Sequence, residues 1–207
     1  RRATEIEASH TAYALPLASN LEIEGQVDLG IRYTPIGEIG ITFPVEIAEL
    51  VRFDSPLLSE KTLNAETGEW TLDFHDELIG PQRFRYRMSL PFEVEEVGKD
   101  SDQKRFEIAL PVVKVPAAKR LRGDWVLEAN TDTELTFEAN GLDAVDSLRV
   151  PAVSGYQPRH RVIAAYRYRG DSWSLKLAGT RHAHEDLVST VIDDLRIDTV
   201  VSTDGDE

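Results

Sequence analysis

Cysteine is absent from the 207-residue chain, and its absence excludes disulfides, thiolate metal sites and cysteine nucleophiles. Positive charge is scarce: 23 Lys and Arg stand against 37 Asp and Glu, a formal net charge of −14. A surface of that sign repels phosphate backbones, so nucleic acid is not expected as a partner. The imbalance is uneven, −10 over residues 1–100 and −4 over 101–207. No apolar run approaches the ~18 residues of a membrane-spanning helix, so no transmembrane segment is expected in this piece. Methionine occurs once, at Met88, and residue 1 is Arg. With no basic-then-apolar leader, the chain reads as a piece of something larger. The common catalytic signatures are missing too: GxSxG, SxxK and a glycine-rich phosphate loop. Ser154–Gly155 lacks the glycine two residues before the serine.

What is present is alternation. Leu21, Ile23, Gly25, Val27, Leu29, Ile31 and Tyr33 occupy odd positions, with Glu22, Glu24, Gln26, Asp28 and Arg32 between them. Successive strand side chains point to opposite faces, so this is a strand with one apolar and one wet face. "TPIGE" at 34–38 reads as a turn, after which Ile39, Ile41, Phe43 and Val45 resume the pattern and form a hairpin with the first arm. Phe84, Tyr86, Met88, Leu90, Phe92 and Val94 repeat it on even positions. Further strands are expected over 105–115, 119–129, 133–139, 145–152, 161–169 and 172–179. Residues 187–197 fit helical spacing and a bulged strand alike, and their β-branched content favours strand. The charged stretch 96–104 reads as a hinge or long turn, too short to divide the chain. The expected fold is therefore all-β: one extended domain over 1–207, an antiparallel two-sheet sandwich of ten or more strands with little helix.

All three tryptophans share a context: "GEWTL" at 68–72, "GDWVL" at 123–127 and "GDSWSL" at 170–175. Glycine and an acidic residue suit a turn, and Trp-x-Leu then opens a strand with both side chains on one face. Trp70, Trp125 and Trp173 are thus expected to anchor strand starts in the core. Two of these contexts contain Arg-Gly-Asp, but the shared element is the turn and its tryptophan. Arg122 and Arg169 are read as loop residues rather than adhesion ligands. Arg83, Arg85 and Arg87 form a stripe expected to face cross-strand acids such as Glu69 or Asp73.

The most metal-like stretch is "TRHAHEDL" at 180–187. On a strand, His182 and His184 project from one face, Glu185 and Asp186 follow, and His75 or His160 would complete a site. Only two ligands are local, and Arg181 places a fixed positive charge beside them, so no metal is expected there. Asp132/Glu134, Asp100/Asp102 and the closing "DGDE" have the oxygen chemistry for structural calcium without the order of an EF-hand loop. No other cofactor is expected.

The rhythm "GEWTLDF…GPQRFRYRMSLPFEV", "LRGDWVLEA", "RYRGDSWSLKLA", "LRIDTVVSTDGDE" resembles segments of very large, uncharacterised bacterial cell-envelope proteins built from successive β-sandwiches. The resemblance covers roughly residues 65–207. It implies a periplasmic or extracellular location and a non-catalytic structural or interaction role. Its partners would be other domains of the same polypeptide or envelope components. A second expectation is a carbohydrate-binding or accessory module of a polysaccharide-processing enzyme, which needs exposed aromatics among Tyr13, Tyr33, Tyr156, Tyr166 and Tyr168 to stack on a glycan. A third is a metal-dependent hydrolase using His182 and His184.

Overall fold

The computed structural model describes residues 2–96 and 103–181. They form an all-β fold of two sheets with a single helical turn of α type, α1 (Val45–Ala48), and one 3-10 turn (Ser147–Arg149). The large sheet holds β1 (Glu5–Pro16), β2 (Asn20–Thr42), β3 (Arg52–Asp54), β4 (Leu58–Asn64), β5 (Glu69–Pro91), β8 (Arg120–Ala129), β10 (Asp143–Ala144) and β11 (Arg161–Arg169). Its order is β10-β11-β8-β1-β2-β5-β3, with β4 also on β5. The small sheet is β6 (Val94–Glu96), β7 (Lys104–Ala109), β12 (Ser174–Arg181) and β9 (Thr133–Asn140), in the order β6-β7-β12-β9.

Neighbours run antiparallel with one exception: β1 and β8 are parallel, Glu7 opposite Arg120 through Ala14 opposite Leu127. Antiparallel pairing alone was expected. The exception arises because β8 returns to the free edge of β1 after six intervening strands, and no local turn dictates its direction.

The hairpin expected at 34–38 does not form. β2 runs through it as one strand of 23 residues, paired along its length with the equally long β5. Residues 34–38 instead make a bulge, where pairing jumps from Ile31–Gly80 to Ile36–Leu78. Tyr33 (φ 74°) and Gly80 (φ 81°) take left-handed conformations on either side of it. Pro35 sits where the ladder is already interrupted, and its missing N–H is tolerated there. The alternation then ends before Val45, since Pro44 begins the helical turn that leaves Val45 exposed. The expected strand at 145–152 is also replaced. The Asp146 carboxylate accepts from the Leu148 amide at 3.0 Å, a local bond that competes with strand pairing. Segment 96–104 joins β6 to β7, whose ends Glu96 and Lys104 pair antiparallel.

One core lies between the sheets. Phe106, Ile108, Leu175 and Leu177 from the small sheet share it with Ile23, Val27, Phe84, Tyr86, Trp125, Leu127 and Tyr168 from the large one. A bridge between Thr42 and Lys114 adds a stitch, with N–H···O bonds of 2.8 and 2.9 Å. The other face of the large sheet is polar, and part of it is covered by the segment between β10 and β11. There Tyr13, Val126 and Ala165 pack with Val153 in a second, smaller apolar cluster. On that face Arg83 bonds Asp28 at 2.7 Å and Arg85 approaches Glu24 at 3.6 Å. Two of the three arginines of the stripe therefore meet acids of β2. Glu69 and Asp73, the expected partners, lie on β5 itself.

Candidate functional site

The most unusual polar group of the core is His10. It sits on the inward face of β1 with Ile6, Ala8, Ala12 and Ala14, and only 1% of its surface is exposed. Both ring nitrogens are occupied. Nε2 meets the Tyr86 hydroxyl at 2.7 Å, and Nδ1 meets the Tyr168 hydroxyl at 2.7 Å. In either neutral tautomer one tyrosine donates to the bare nitrogen while the other accepts from the ring N–H.

Two glycines make this possible. Tyr86 lies on β5 opposite Gly25 of β2, and Tyr168 lies on β11 opposite Gly123 of β8. A Cβ on Gly25 would lie 2.2 Å from the Tyr86 ring, and one on Gly123 would lie 2.2 Å from the Tyr168 ring. Each tyrosine therefore reaches across a strand that has no side chain in its way. The result spans five adjacent strands: β5, β2, β1, β8 and β11. The Trp125 ring packs edge-on to His10 with centroids 5.4 Å apart.

Burial sets the acid–base chemistry here. It pushes the His10 pKa down to about 3, because a charged imidazolium would lose its hydration. It likewise raises both tyrosines above the ordinary phenol value, Tyr86 being raised further by Tyr168 and Tyr168 by Asp124. Burial thus favours the neutral form of all three groups near neutral pH.

The polar face carries a second buried group, Glu128, which is fully inaccessible. Its Oε1 accepts from the Tyr156 hydroxyl at 2.5 Å, and its Oε2 accepts from the amides of Arg159 and His160 at 2.7 and 2.9 Å. Burial, then the bond to Glu128, raises the Tyr156 pKa. Nearby, Gln26 accepts from the Ser154 amide at 2.8 Å, and Arg159 bonds Glu22 at 2.5 Å. Glu128 thus holds the covering segment onto the sheet.

The tryptophans occupy different settings. Trp125 and Trp173 are buried, with ring centroids 6.5 Å apart. Trp70 is half-buried and donates its indole N–H to the Ala48 carbonyl at 2.9 Å. Gly68 (φ 71°) and Gly170 (φ 70°) form turns ahead of Trp70 and Trp173. Trp125 differs, because residues 122–124 lie inside β8 rather than in a turn. In that first Arg-Gly-Asp, Asp124 is buried and accepts from Arg167 at 2.7 Å. In the second, Asp171 pairs with Lys114 at 2.9 Å, which lowers its pKa.

His182, His184 and Glu185 lie outside the described residues, as do Asp100, Asp102, the stretch 187–197 and the closing "DGDE". His75 is exposed on β5, and His160 sits at the Glu128 clamp; the structure does not bring them together. Asp132 accepts from Thr133 at 2.9 Å and lies 3.8 Å from Arg181, while Glu134 is an exposed residue of β9. Among the described residues, no three His, Asp or Glu side chains converge as a metal-holding group. Of the five tyrosines, Tyr33 is exposed, under the Arg2 guanidinium at 5.2 Å. Tyr13 and Tyr156 pack on each other, Tyr166 packs on Phe137, and Tyr168 is buried. They form no exposed coplanar platform.

No family model matches this chain, and no curated protein matches it. Among solved structures, an M1 zinc metallopeptidase mutant from Deinococcus radiodurans bound to a Tyr-Ser-Ala substrate aligns at TM-score 0.40 and 8% identity, covering 84% of this chain and 42% of that one. The M1 zinc metallopeptidase from the same organism aligns at 0.39 and 8% identity, over 86% and 42%. The chain thus spans less than half the length of either, and likeness of this degree assigns no activity.

Proposed function

We propose that this chain is a non-catalytic structural or interaction segment of a larger bacterial envelope protein, working in the periplasm or outside the cell. The observation that supports this reading is the use made of its buried titratable groups. His10 joins strands across the large sheet, and Glu128 fastens a covering segment to its polar face. Groups of the kinds that move protons in enzymes are here committed to holding backbone and strands in place. Such a frame suits a module that presents its edges and polar face to neighbouring domains of the same polypeptide or to envelope components. The packing of four of the five tyrosines gives the glycan-stacking reading no platform among the described residues.

Cell fractionation of the tagged native protein, with in vivo cross-linking, is the test. The chain is expected in the envelope fraction, cross-linked to its own neighbouring domains. Cytosolic recovery would overturn the reading, and so would hydrolytic turnover abolished by His182→Ala or a glycan bound at sub-millimolar strength.

A further inference from the structure

Arg52 and Arg87 are direct cross-strand partners in the β3–β5 pair. Like charges placed opposite one another in a sheet are destabilising, so an unrelieved pair of this kind calls for a reason. The neighbouring acids do not relieve it. Glu24 is the partner of Arg87 on the β2 side, yet its carboxylate lies 3.6 Å from Arg85. Glu22 is engaged by Arg159 at 2.5 Å. Glu49 and Val51 offer Arg52 their backbone carbonyls, at 2.5 and 2.9 Å from Nη1. Among the described residues, the Arg87 side chain has neither a hydrogen bond nor an ion pair.

The two arginines flank an open cleft of about 430 Å³ beside the start of β3, lined also by Ile23, Leu50, Met88 and Ser89. Glu22 and Glu24 belong to the lining, but each carboxylate is paired with an arginine outside it, Arg159 at 2.5 Å and Arg85 at 3.6 Å. Arg52 and Arg87 are therefore the charge that the cleft presents, on a molecule of net charge −14. Arg52 is pre-oriented: its Nη1 is fixed by two carbonyls, and its remaining N–H groups are free to donate. Ser89 accepts from Asn20 Nδ2 at 2.6 Å, which leaves its own hydroxyl proton to donate. Planar guanidinium forks match the paired oxygens of a carboxylate or phosphate, and such charge-assisted bonds are the stronger class.

We propose that this cleft binds a small ligand through its oxyanion group, a carboxylate or phosphate, clamped by Arg52 and Arg87 with Ser89 as hydroxyl donor. The site is independent of whether the segment as a whole is catalytic.

The test is an amide NMR titration of the chain with succinate in one arm and inorganic phosphate in the other, at ionic strength held constant with chloride. Saturable shifts are expected, confined to residues around Leu50, Arg52, Arg87 and Ser89. The arm that saturates first identifies the ligand class. Arg87→Gln is expected to weaken binding about tenfold, the scale of one lost charge-assisted bond. Because the substitution removes a repulsion, it should leave the anion-free melting temperature unchanged or raised, which separates loss of binding from loss of fold. Absence of a saturable shift in both arms, or an affinity unchanged in Arg87→Gln, would overturn the site.

Discussion

His10 shows how far a single residue can be read. Its place on the apolar face follows from parity with Ile6, Ala8, Ala12 and Ala14, a run that was not among the strands expected from the sequence. Its partners were not legible either, because Tyr86 and Tyr168 lie 76 and 158 residues away. Gly25 and Gly123, each inside an alternating strand, were the available signal that another group approaches the backbone closely. A pKa lowered from 6.5 to about 3 means that the unfolded chain binds a proton that the folded chain refuses. The contribution of His10 to stability is therefore full above pH 6.5 and is lost as pH drops towards 3, by about 1.4 kcal/mol per unit. Urea midpoints across this range are expected to fall more steeply for the native protein than for His10→Gln, whose amide can still serve both tyrosines. Equal slopes would show that another group controls the acid limb. The glycines make a second prediction. Gly25→Ala and Gly123→Ala should each cost ~1–3 kcal/mol through the displaced tyrosine ring. Gly30→Ala, whose Cβ would meet nothing nearer than 3.9 Å, should leave the melting temperature within a degree or two of native.

Elements were read well where their pattern is local. The long alternating runs became strands because period-two burial needs no distant information. The hairpin at 34–38 failed for the opposite reason: a competing strand of matching length, β5, offered both arms of β2 a partner, and long-range pairing outweighed the turn residues. The first Arg-Gly-Asp misled similarly, since Gly123 makes room for a ring and turns nothing. These differences grade the tryptophans. Trp125→Ala should cost ~3–5 kcal/mol, as expected for a fully buried aromatic. Trp70→Ala should cost clearly less, and chemical denaturation of the two variants side by side would check the order. The segment between β10 and β11, by contrast, depends on one carboxylate. In Glu128→Gln one oxygen remains where two served Tyr156, Arg159 and His160. Hydrogen exchange at the Arg159 and His160 amides is expected to accelerate while β8 stays protected.

At the scale of the molecule, an all-β sandwich with one shared core was legible, but the order of strands was not. Sheet order is decided by pairings that no local spacing encodes, and the parallel contact between β1 and β8 is the clearest case. That contact also sets a timetable for biosynthesis. β1 is complete early, but its second edge stays open until Arg120–Ala129 has been made, roughly a hundred residues later. At the ribosome's typical pace of ~5–20 residues per second, an apolar strand must wait many seconds with unpaired backbone groups. The nascent chain therefore passes through a period with one edge of β1 unpaired that ends when β8 emerges. Force-profile measurements on stalled chains of increasing length should show the main folding pull only after Ala129 has cleared the exit tunnel. An earlier pull of full size would mean that β1 and β2 close without their parallel neighbour.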